Sequence, residues 1–572
     1  MQPIVQKIIL LTHLSKLPFL VFLCMIAFLT IYPVASIFLK SFATSAPGQP
    51  ETWGLQGWLQ AFNDRNLSTA LLNTFSLAII RIFISSTLAI IFAWIVTRTD
   101  TPLRGSIEFM LWLGFFLPIL PMTMGWILLL DSHYGLINSF LTKTLGFTTA
   151  PFNIFSYWGI IWCHLAFSTS VRFLLITPAF RNMDAAFEEA SHTSGSNNVG
   201  TLIRITIPLL APALLASTAL GFIKSLESFE LELVLGIPAG IYVLSTRIYD
   251  FIHWEPPLFG QATALSSIFL VVIFLLVWAQ KTLLRGREYT TLTGRGYSYR
   301  TLSLGRWRWL TFAFSAMFIC MMILLPLSSL IMGTFMEVFG FFNIDSPWTS
   351  RHWLTAFRDP VFLGSLVNTF SLGIGASLAG VLLYSIISYS IVRAHIPAKG
   401  LIDLLSWLPW ALPGVLLSLA LLWTVLGSGS ILKLLYGTVY VLILAIVIKE
   451  MPLGTQIIKA GIMQVSKELE EASEAAGAGR YSTFTRILLP LLKPTVLVVC
   501  LVVFIASLRE IPAVVFLATN QTRTISLVML DAIADANMER AAVTGLFIVG
   551  LVLCLILIAR ILGVRLNLTD EK

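Results

Sequence analysis

The sequence predicts an all-α polytopic membrane protein with about twelve transmembrane helices arranged as two parallel six-helix repeats. Hydrophobic residues make up 57% of its 572 residues and charged residues only 12%, and the mean hydropathy is +0.86. Apolar runs of about 20 residues, the length that crosses roughly 30 Å of hydrocarbon as a helix, recur along the whole chain. Segments of the first half also recur in the second. This composition excludes a water-soluble globular protein and indicates a chain embedded in the lipid bilayer.

Apolar runs separated by polar breaks predict the individual spans. They lie near residues 18–39, 70–97, 106–130, 155–180, 208–234, 261–284, 309–333, 366–392, 401–427, 436–458, 490–517 and 543–566. The first run is too long for a signal peptide and has no clear small-residue cleavage site. We therefore interpret it as a retained span.

Basic residues set the orientation of the spans, because lysine and arginine concentrate on the cytoplasmic side of a membrane protein. They fall on one side of the alternating path at Lys7, Lys16, Arg98, Arg104, Arg181 and Arg204, and the segment 281–308 holds seven more against one acid, Glu288. Both termini are therefore expected in the cytoplasm. The net charge of +8 follows from this topology, so no nucleic-acid partner is expected.

Repeated motifs divide the chain into two related halves. The segment NTFSL occurs at Asn73 to Leu77 and again at Asn368 to Leu372. A longer register begins at Glu189 in the first half and at Glu471 in the second, and it runs without a gap for about 37 residues. An even number of spans in each half makes the repeats parallel. The predicted organisation is a first domain at 1–280, a basic cytoplasmic linker at 281–308 and a second domain at 309–572.

The longer register begins with the same motif in each half. The first copy has Glu189-Ala190-Ser191, then Gly195 and Pro208, and the second has Glu471-Ala472-Ser473, then Gly477 and Pro490. The residues favour a short helix over Met183 to His192 and over Ser466 to Ala476, which the glycine ends. Each proline suits the first turn of the next span.

This motif resembles the EAA loop of the permease subunits of ABC importers, which implies the type I importer fold. The second copy fits the family pattern closely, whereas the first departs from it at Ile207 and at His192-Thr193-Ser194. In the family the short helix docks on an ATPase subunit. The resemblance implies that role for Glu188, Glu189, Ala190, Ser191, Gly195, Glu470, Glu471, Ala472, Ser473 and Gly477. The alternative is an acidic amphipathic helix lying on the membrane surface.

The resemblance also implies the partners and the location of the chain. Two separate ATPase subunits and an external solute-binding protein are expected, in the cytoplasmic (inner) membrane of a bacterium. The sequence contains no GxxxxGK[ST] phosphate loop. ATP and magnesium are therefore expected on the partner ATPase, and the chain is expected to be no enzyme and to hold no cofactor.

Ionisable residues within spans are costly and are candidates for function. Glu227 and Glu230 near the end of the fifth span are three residues apart and share a helical face, and Arg509 and Glu510 occupy the matching stretch of the eleventh. These four residues could line the translocation path. Alternatively, the acids lie near the outer surface, solvated or paired with Lys224 and Arg509. Proline pairs in the third and ninth spans, at Pro118, Pro121, Pro409 and Pro413, predict kinks that suit a gate or merely curve the helices.

Two segments bear on the substrate. Those beginning at Ser225-Leu226 and Ser507-Leu508 resemble the ferric-iron branch of fused permeases, whose relatives import polyamines, thiamine or aminoethylphosphonate. Ferric iron is the substrate that we expect. No histidine cluster in the sequence indicates a resident metal site. Asp131 with His133, and His253 with Glu255, are at most transient ligands.

Two other functional classes compete with the importer. A secondary transporter driven by an ion gradient also uses parallel halves, but it leaves the two loop motifs without a role. An integral-membrane enzyme would need a nucleophile with a base, a metal cluster or a phosphate loop, and none stands out in the sequence.

Overall fold

The computed structural model describes residues 2–50, 52–184, 186–284, 302–393, 399–427 and 431–561. Side chains are described from residue 21 onward, except at 280, 281, 283, 284, 431, 480, 481 and 484. Most of the predicted linker 281–308 lies outside the described residues.

The regular secondary structure of the first half is helical throughout its described residues. It contains α1 (Gln2–Lys40), α2 (Gln56–Phe62), α3 (Leu67–Arg98), α4 (Arg104–Phe116), α5 (Ile119–Leu130), α6 (Leu136–Leu145), α7 (Tyr157–Asn182), α8 (Ala186–Thr193), α9 (Asn198–Thr201), α10 (Ile207–Leu226), α11 (Leu244–His253) and α12 (Phe259–Leu284). A single π-helical turn, Leu202–Thr206, joins α9 to α10.

The second half repeats this order of elements. It contains α13 (Trp307–Ile319), α14 (Leu325–Thr334), α15 (Arg351–Ala356), α16 (Pro360–Val392), α17 (Lys399–Trp407), α18 (Gly414–Leu426), α19 (Val439–Gln464), α20 (Lys467–Ala475), α21 (Arg480–Thr483), α22 (Leu489–Arg509), α23 (Ile525–Ala534) and α24 (Met538–Ile561). A π-helical turn, Phe484–Leu488, again joins α21 to α22. Pro208 and Pro490 lie in the first turn of α10 and α22, as predicted, although each helix continues directly from the π turn before it.

The fold class predicted from the sequence is confirmed. Within the described residues, ten helices are long and apolar enough to cross a membrane, and two bent helix pairs raise the number to twelve if each pair is one span. The bent pairs are α4 with α5 and α17 with α18, which are the predicted third and ninth spans.

Proline breaks these two spans more sharply than a kink. The axes of α4 and α5 differ by 101°, and those of α17 and α18 by 108°. Leu117 precedes Pro118 with ψ near 131°, and Leu412 precedes Pro413 with ψ near 111°, because the proline ring disfavours helical backbone in the residue before it. Each break leaves the last carbonyls of the preceding helix without partners in that helix.

The two halves interlock through their first and third spans. Helix α1 packs against α18 of the second half, and α14 packs against α5 of the first. Gly125 of α5 lies so close to α14 that an added Cβ would come within 2.0 Å of the carbonyl oxygen of Pro326. Within each half, the second span packs on the fourth, as α3 on α7 and α16 on α19.

The fifth and eleventh spans end earlier than the sequence predicts. Helix α10 ends at Leu226 and α22 ends at Arg509, so 227–229 and 510–524 lie largely outside regular helix. Arg81 donates a hydrogen bond to the carbonyl oxygen of Ser225 at 2.8 Å, and this contact fixes the end of α10. Pro512 opposes helical backbone at Ile511 and thereby helps to end α22.

Candidate coupling joints and translocation path

The two predicted loop helices are present as α8 and α20. Ser466 caps α20 by accepting a hydrogen bond from the amide of Glu468 at 3.2 Å. Both helices end at the predicted glycine, since Gly195 has φ +85° and Gly477 has φ +84°, a backbone region that glycine enters without strain. Bonds from Ser196 N to Ser191 O and from Ala478 N to Ser473 O, at 3.0 and 3.1 Å, close the same C-terminal turn in both copies.

A hydroxyl pair fastens each loop helix to the chain that returns to the membrane. Ser191 and Thr201 lie 2.9 Å apart, and Ser473 and Thr483 lie 2.9 Å apart. The two pairs occupy equivalent positions in the register of the loop motifs. The serine of each motif therefore holds the loop helix against the returning chain.

The structure divides the predicted coupling residues into an outer and an inner set. Glu189, Ala190, Gly195, Glu471, Ala472 and Gly477 are exposed, whereas Glu188 is buried and Glu470 is half-buried. Each helix also exposes a large apolar side chain at the same register, Phe187 at 50% and Leu469 at 46%. A charged helix with one exposed apolar side chain fits a docking surface.

An arginine for which the sequence predicted no coupling role forms an ion pair with each inner glutamate. Arg98 Nε lies 3.7 Å from Glu188, and Arg393 Nε donates to Glu470 at 2.6 Å. The interval between these arginines equals that between Asn73 and Asn368 of the NTFSL segments. Extending that second register along α3 and α16 would have found them.

The candidate path residues meet between the halves. Lys224 pairs with Glu227 at 3.0 Å, and Lys449 of α19 pairs with Glu510 at 2.6 Å. Arg509 donates to the carbonyl oxygen of Phe115 in the first half at 2.8 Å. Because α10 has ended, Glu227 and Glu230 do not share a helical face as predicted, although both face the same charged residues.

We call these residues the central charged layer and define it as Lys224, Glu227, Glu230, Lys449, Glu450, Arg509 and Glu510. Glu230 interacts electrostatically with Glu510, Lys449 and Arg509. Glu450 interacts with Lys449, Glu510, Lys224 and Arg509. Ionisable groups from both halves thus act on one another within the membrane protein.

Internal symmetry shows where the layer differs between the halves. In the register of the loop motifs, Lys449 is equivalent to Phe167 and Arg509 is equivalent to Glu227. The Arg509 guanidinium lies 5.5 Å from the rings of Phe115 and Phe167. The position of Lys449 is therefore taken by an aromatic ring in the first half, and the position of Arg509 by an acid.

A buried network in the first half holds the segment that carries Glu227 and Glu230. Arg81 of α3 pairs with Glu232 at 3.1 Å, and both side chains are 2% exposed or less. His164 lies 3.2 Å from the same carboxylate, and the Ser228 hydroxyl donates to it at 2.5 Å. The second half has Ala376 at the position equivalent to Arg81, so this network is a feature of one half.

Little free space remains at the central charged layer. A cavity of about 10 Å³ remains beside Glu230 and Arg509, whereas a cavity of about 420 Å³ lies between the halves among Tyr249, His253 and Asp531. Burial lowers the pKa of His253 below its ordinary value. Among the described residues, no group of three or more His, Cys, Asp or Glu is placed to hold a metal ion.

The weak histidine pairs have other contacts. Asp131 accepts from the backbone amide of His133 at 2.7 Å and thereby closes a turn. The His253 ring stacks on Tyr249 with centroids 3.8 Å apart. Neither contact indicates a metal ligand.

Comparison with known proteins places the chain in a family. The model of the family described as binding-protein-dependent transport system inner membrane component matches residues 376–568. Ferric transport system permease protein FbpB of Actinobacillus pleuropneumoniae is 27% identical over 93% of this chain and 76% of that protein. Molybdenum transport system permease protein ModB of Escherichia coli (strain K12) is 31% identical over 36% of this chain and 90% of that protein.

A solved bacterial alginate ABC transporter, in complex with its pentasaccharide-bound periplasmic protein, has a similar chain. The likeness has a TM-score of 0.35 at 21% identity and covers 44% of this chain and 92% of that chain. The family match and the sequence relatives carry the assignment: the chain belongs to the family of binding-protein-dependent transport system inner membrane components and is a fused, two-domain permease subunit of an ABC importer.

Proposed function

We propose that this permease moves ferric iron, delivered by an external binding protein, into the cytoplasm of a bacterium. Two separate ATPase subunits supply the energy, one at each of the loop helices α8 and α20. Both termini and the linker 281–308 lie on that cytoplasmic side. ATP and its magnesium stay on the ATPase subunits.

The observation that carries the proposal is the extent of the similarity to ferric transport permeases. That similarity runs through 93% of the chain and so includes both halves. The molybdenum transport permease matches 36% of the chain, which is less than the length of one half. The ferric transport permease, which matches both halves, is therefore a better guide to the cargo than the molybdenum transport permease.

The composition of the central layer supports a cationic cargo. In the described part of the chain this layer has four carboxyl side chains and three basic side chains. A path for an oxyanion would need an excess of positive charge at its narrowest point. Basic side chains do not outnumber acidic ones in this layer.

Reconstitution tests the substrate. The purified chain, its ATPase and the iron-loaded binding protein would be placed in proteoliposomes, and uptake of radiolabelled ferric iron would be measured with and without ATP. We expect ATP-dependent iron uptake that excess spermidine, thiamine, aminoethylphosphonate or molybdate does not reduce. ATP-dependent uptake of one of those solutes in place of iron would overturn the substrate and leave the importer assignment intact.

A further inference from the structure

We propose that Arg98 and Arg393 transmit the movement of the coupling loops to the spans. Each arginine ties one loop helix to the cytoplasmic ends of the second and fourth spans of its half. The inference rests on the proposed docking of the ATPase subunits at α8 and α20. It adds two positioning residues and a route from the loop to the central charged layer.

The contacts of the two arginines are duplicated atom for atom. Arg98 Nη2 donates to the carbonyl oxygens of Phe180 and Met183 at 2.6 and 2.5 Å. Arg393 Nη2 donates to those of Ile462 and Val465 at 3.2 and 2.5 Å. In the register of the loop motifs, Ile462 is equivalent to Phe180 and Val465 to Met183. One side chain thus binds the end of the fourth span and the inner glutamate of the loop.

Burial makes this arrangement more than a surface ion pair. Arg98 and Glu188 are 6% and 3% exposed, and Arg393 and Glu470 are 9% and 14% exposed. A buried ion pair adds little stability over a well-packed apolar pair, because both charges lose their hydration. The ion pair is nevertheless present in both halves, although their loops differ at many other positions. This points to a role in transmitting movement.

Each loop helix is already held to the returning chain by its hydroxyl pair, and Glu188 also accepts a hydrogen bond from Thr206 at 2.8 Å. These contacts lead to the fifth and eleventh spans, whereas the arginines lead to the second and eighth. The contact of Arg98 with Glu188 links α8 directly to α3. Displacement of the loop must therefore displace the second span, or break a buried contact.

In the first half the route continues to the central charged layer. Helix α3 carries both Arg98 and Arg81, which are 17 positions and so about 26 Å apart along one rigid helix. Arg81 binds Glu232 at 3.1 Å, the Ser228 hydroxyl at 3.1 Å and the Ser225 carbonyl oxygen at 2.8 Å. Those groups hold the segment that presents Glu227 and Glu230.

The second half has a weaker form of the same route. Next to Ala376, the hydroxyl of Ser377 in α16 donates to the carbonyl oxygen of Cys500 in α22 at 3.0 Å. A single neutral hydrogen bond replaces the network around Arg81. We therefore expect the first loop to drive the path residues more strongly than the second.

Substitution of the two arginines tests the inference in proteoliposomes that contain the chain, its ATPase and its binding protein. ATP hydrolysis and solute uptake would be measured in the same vesicles for R98M, R98K, R393M and E188Q. We expect the amount of solute taken up per ATP hydrolysed to fall about tenfold in R98M and by a smaller factor in R393M. R98K should recover part of the loss. All variants should bind the ATPase at the wild-type ratio of ATPase to permease. R540M is the matched control, because it removes an external ion pair with Asp359 of 2.6 Å.

The outcomes separate this inference from the proposed function. No ATP-dependent uptake by the wild-type protein would sink the proposed function. Wild-type uptake together with an unchanged ratio in R98M, or an equal loss in R540M, would sink the inference. If R98M does not assemble, E188Q decides, because it weakens the link to the loop while Arg98 still binds Phe180 and Met183.

Discussion

Arg509 of the second half donates a hydrogen bond from Nη1 to the carbonyl oxygen of Phe115 in the first half, at 2.8 Å. That oxygen is available because α4 ends at Phe116, just before the proline break. The guanidinium also lies 5.5 Å from the rings of Phe115 and Phe167. One side chain therefore joins the two halves within the central charged layer.

Removing this contact should weaken the closed state. In R509M the hydrogen bond and the cation–π contacts are lost, which destabilises closure by roughly 1–3 kcal/mol. We expect ATP hydrolysis in the absence of the binding protein to rise several-fold, because closure no longer opposes the conformational change. R509K, which keeps a donor, should show a smaller rise. An unchanged basal ATPase rate in R509M would contradict the role of Arg509 in closure.

Lys449 and Glu510 form the best-defined ion pair of the central layer, with both Glu510 oxygens within 2.7 Å of the ammonium. K449M would leave the carboxylate with the amide of Ala513, at 2.8 Å, as its remaining partner. Breaking one side of a buried pair costs about 3–5 kcal/mol. We expect K449M to lower the melting temperature of the detergent-purified chain more than the double variant K449M/E510Q does. Additive losses in the two single variants would show that the pair is not coupled.

The glycine at the end of each loop helix is required for its backbone and not for its size. No atom lies within 4 Å of a Cβ added at Gly477, but its φ is +84°. Valine is strained there by roughly 1–2 kcal/mol, whereas asparagine tolerates this region. We expect G477V to lose ATPase binding and G477N to keep most of it, as judged by copurification. G479V is the control, since Gly479 has equal space without a positive φ; equal binding by G477V and G477N would refute the backbone argument.

The ion pair between Asp64 and Arg247, which lies outside the candidate membrane spans, should make stability depend on pH. Burial alone would raise the pKa of Asp64, but two hydrogen bonds of 2.8 Å from Arg247, together with its charge, hold that pKa below the ordinary 3.8. A lowered pKa stabilises the folded state above the unfolded value, and this stabilisation is lost as the pH falls through the folded value.

The melting temperature of the wild type should therefore exceed that of D64N at pH 7, and the difference should shrink below about pH 4. The exposed Asp345 supplies the control variant, D345N. A gap between wild type and D64N that is the same at pH 7 and pH 3 would exclude this contribution.

The coupling loops could be predicted because their information is local. A short acidic helix, a glycine in left-handed backbone and a returning proline each act within a few residues, and two copies in one register reinforce each other. The proline breaks were also predicted in position. Their angles near 100° were not, since the bend depends on how α1 and α14 pack against the broken spans.

The contacts between distant positions were beyond the local pattern. The register of the loop motifs makes Arg509 equivalent to Glu227, but an equivalence between the halves does not show which group either side chain contacts. Arg509 instead binds a carbonyl oxygen that is exposed by a helix break in the other half of the chain. Lys449 was missed because it lies inside an apolar run. Its partner, Glu510, belongs to an irregular segment.

The requirement for ATP tests the central assignment most directly. Uptake of the cargo would be measured in proteoliposomes that contain the chain alone, or the chain with its ATPase, each with ATP or with an imposed proton or sodium gradient. The assignment as an ABC importer permease predicts uptake only when the ATPase and ATP are both present. Uptake by the chain alone, driven by an ion gradient, would contradict it.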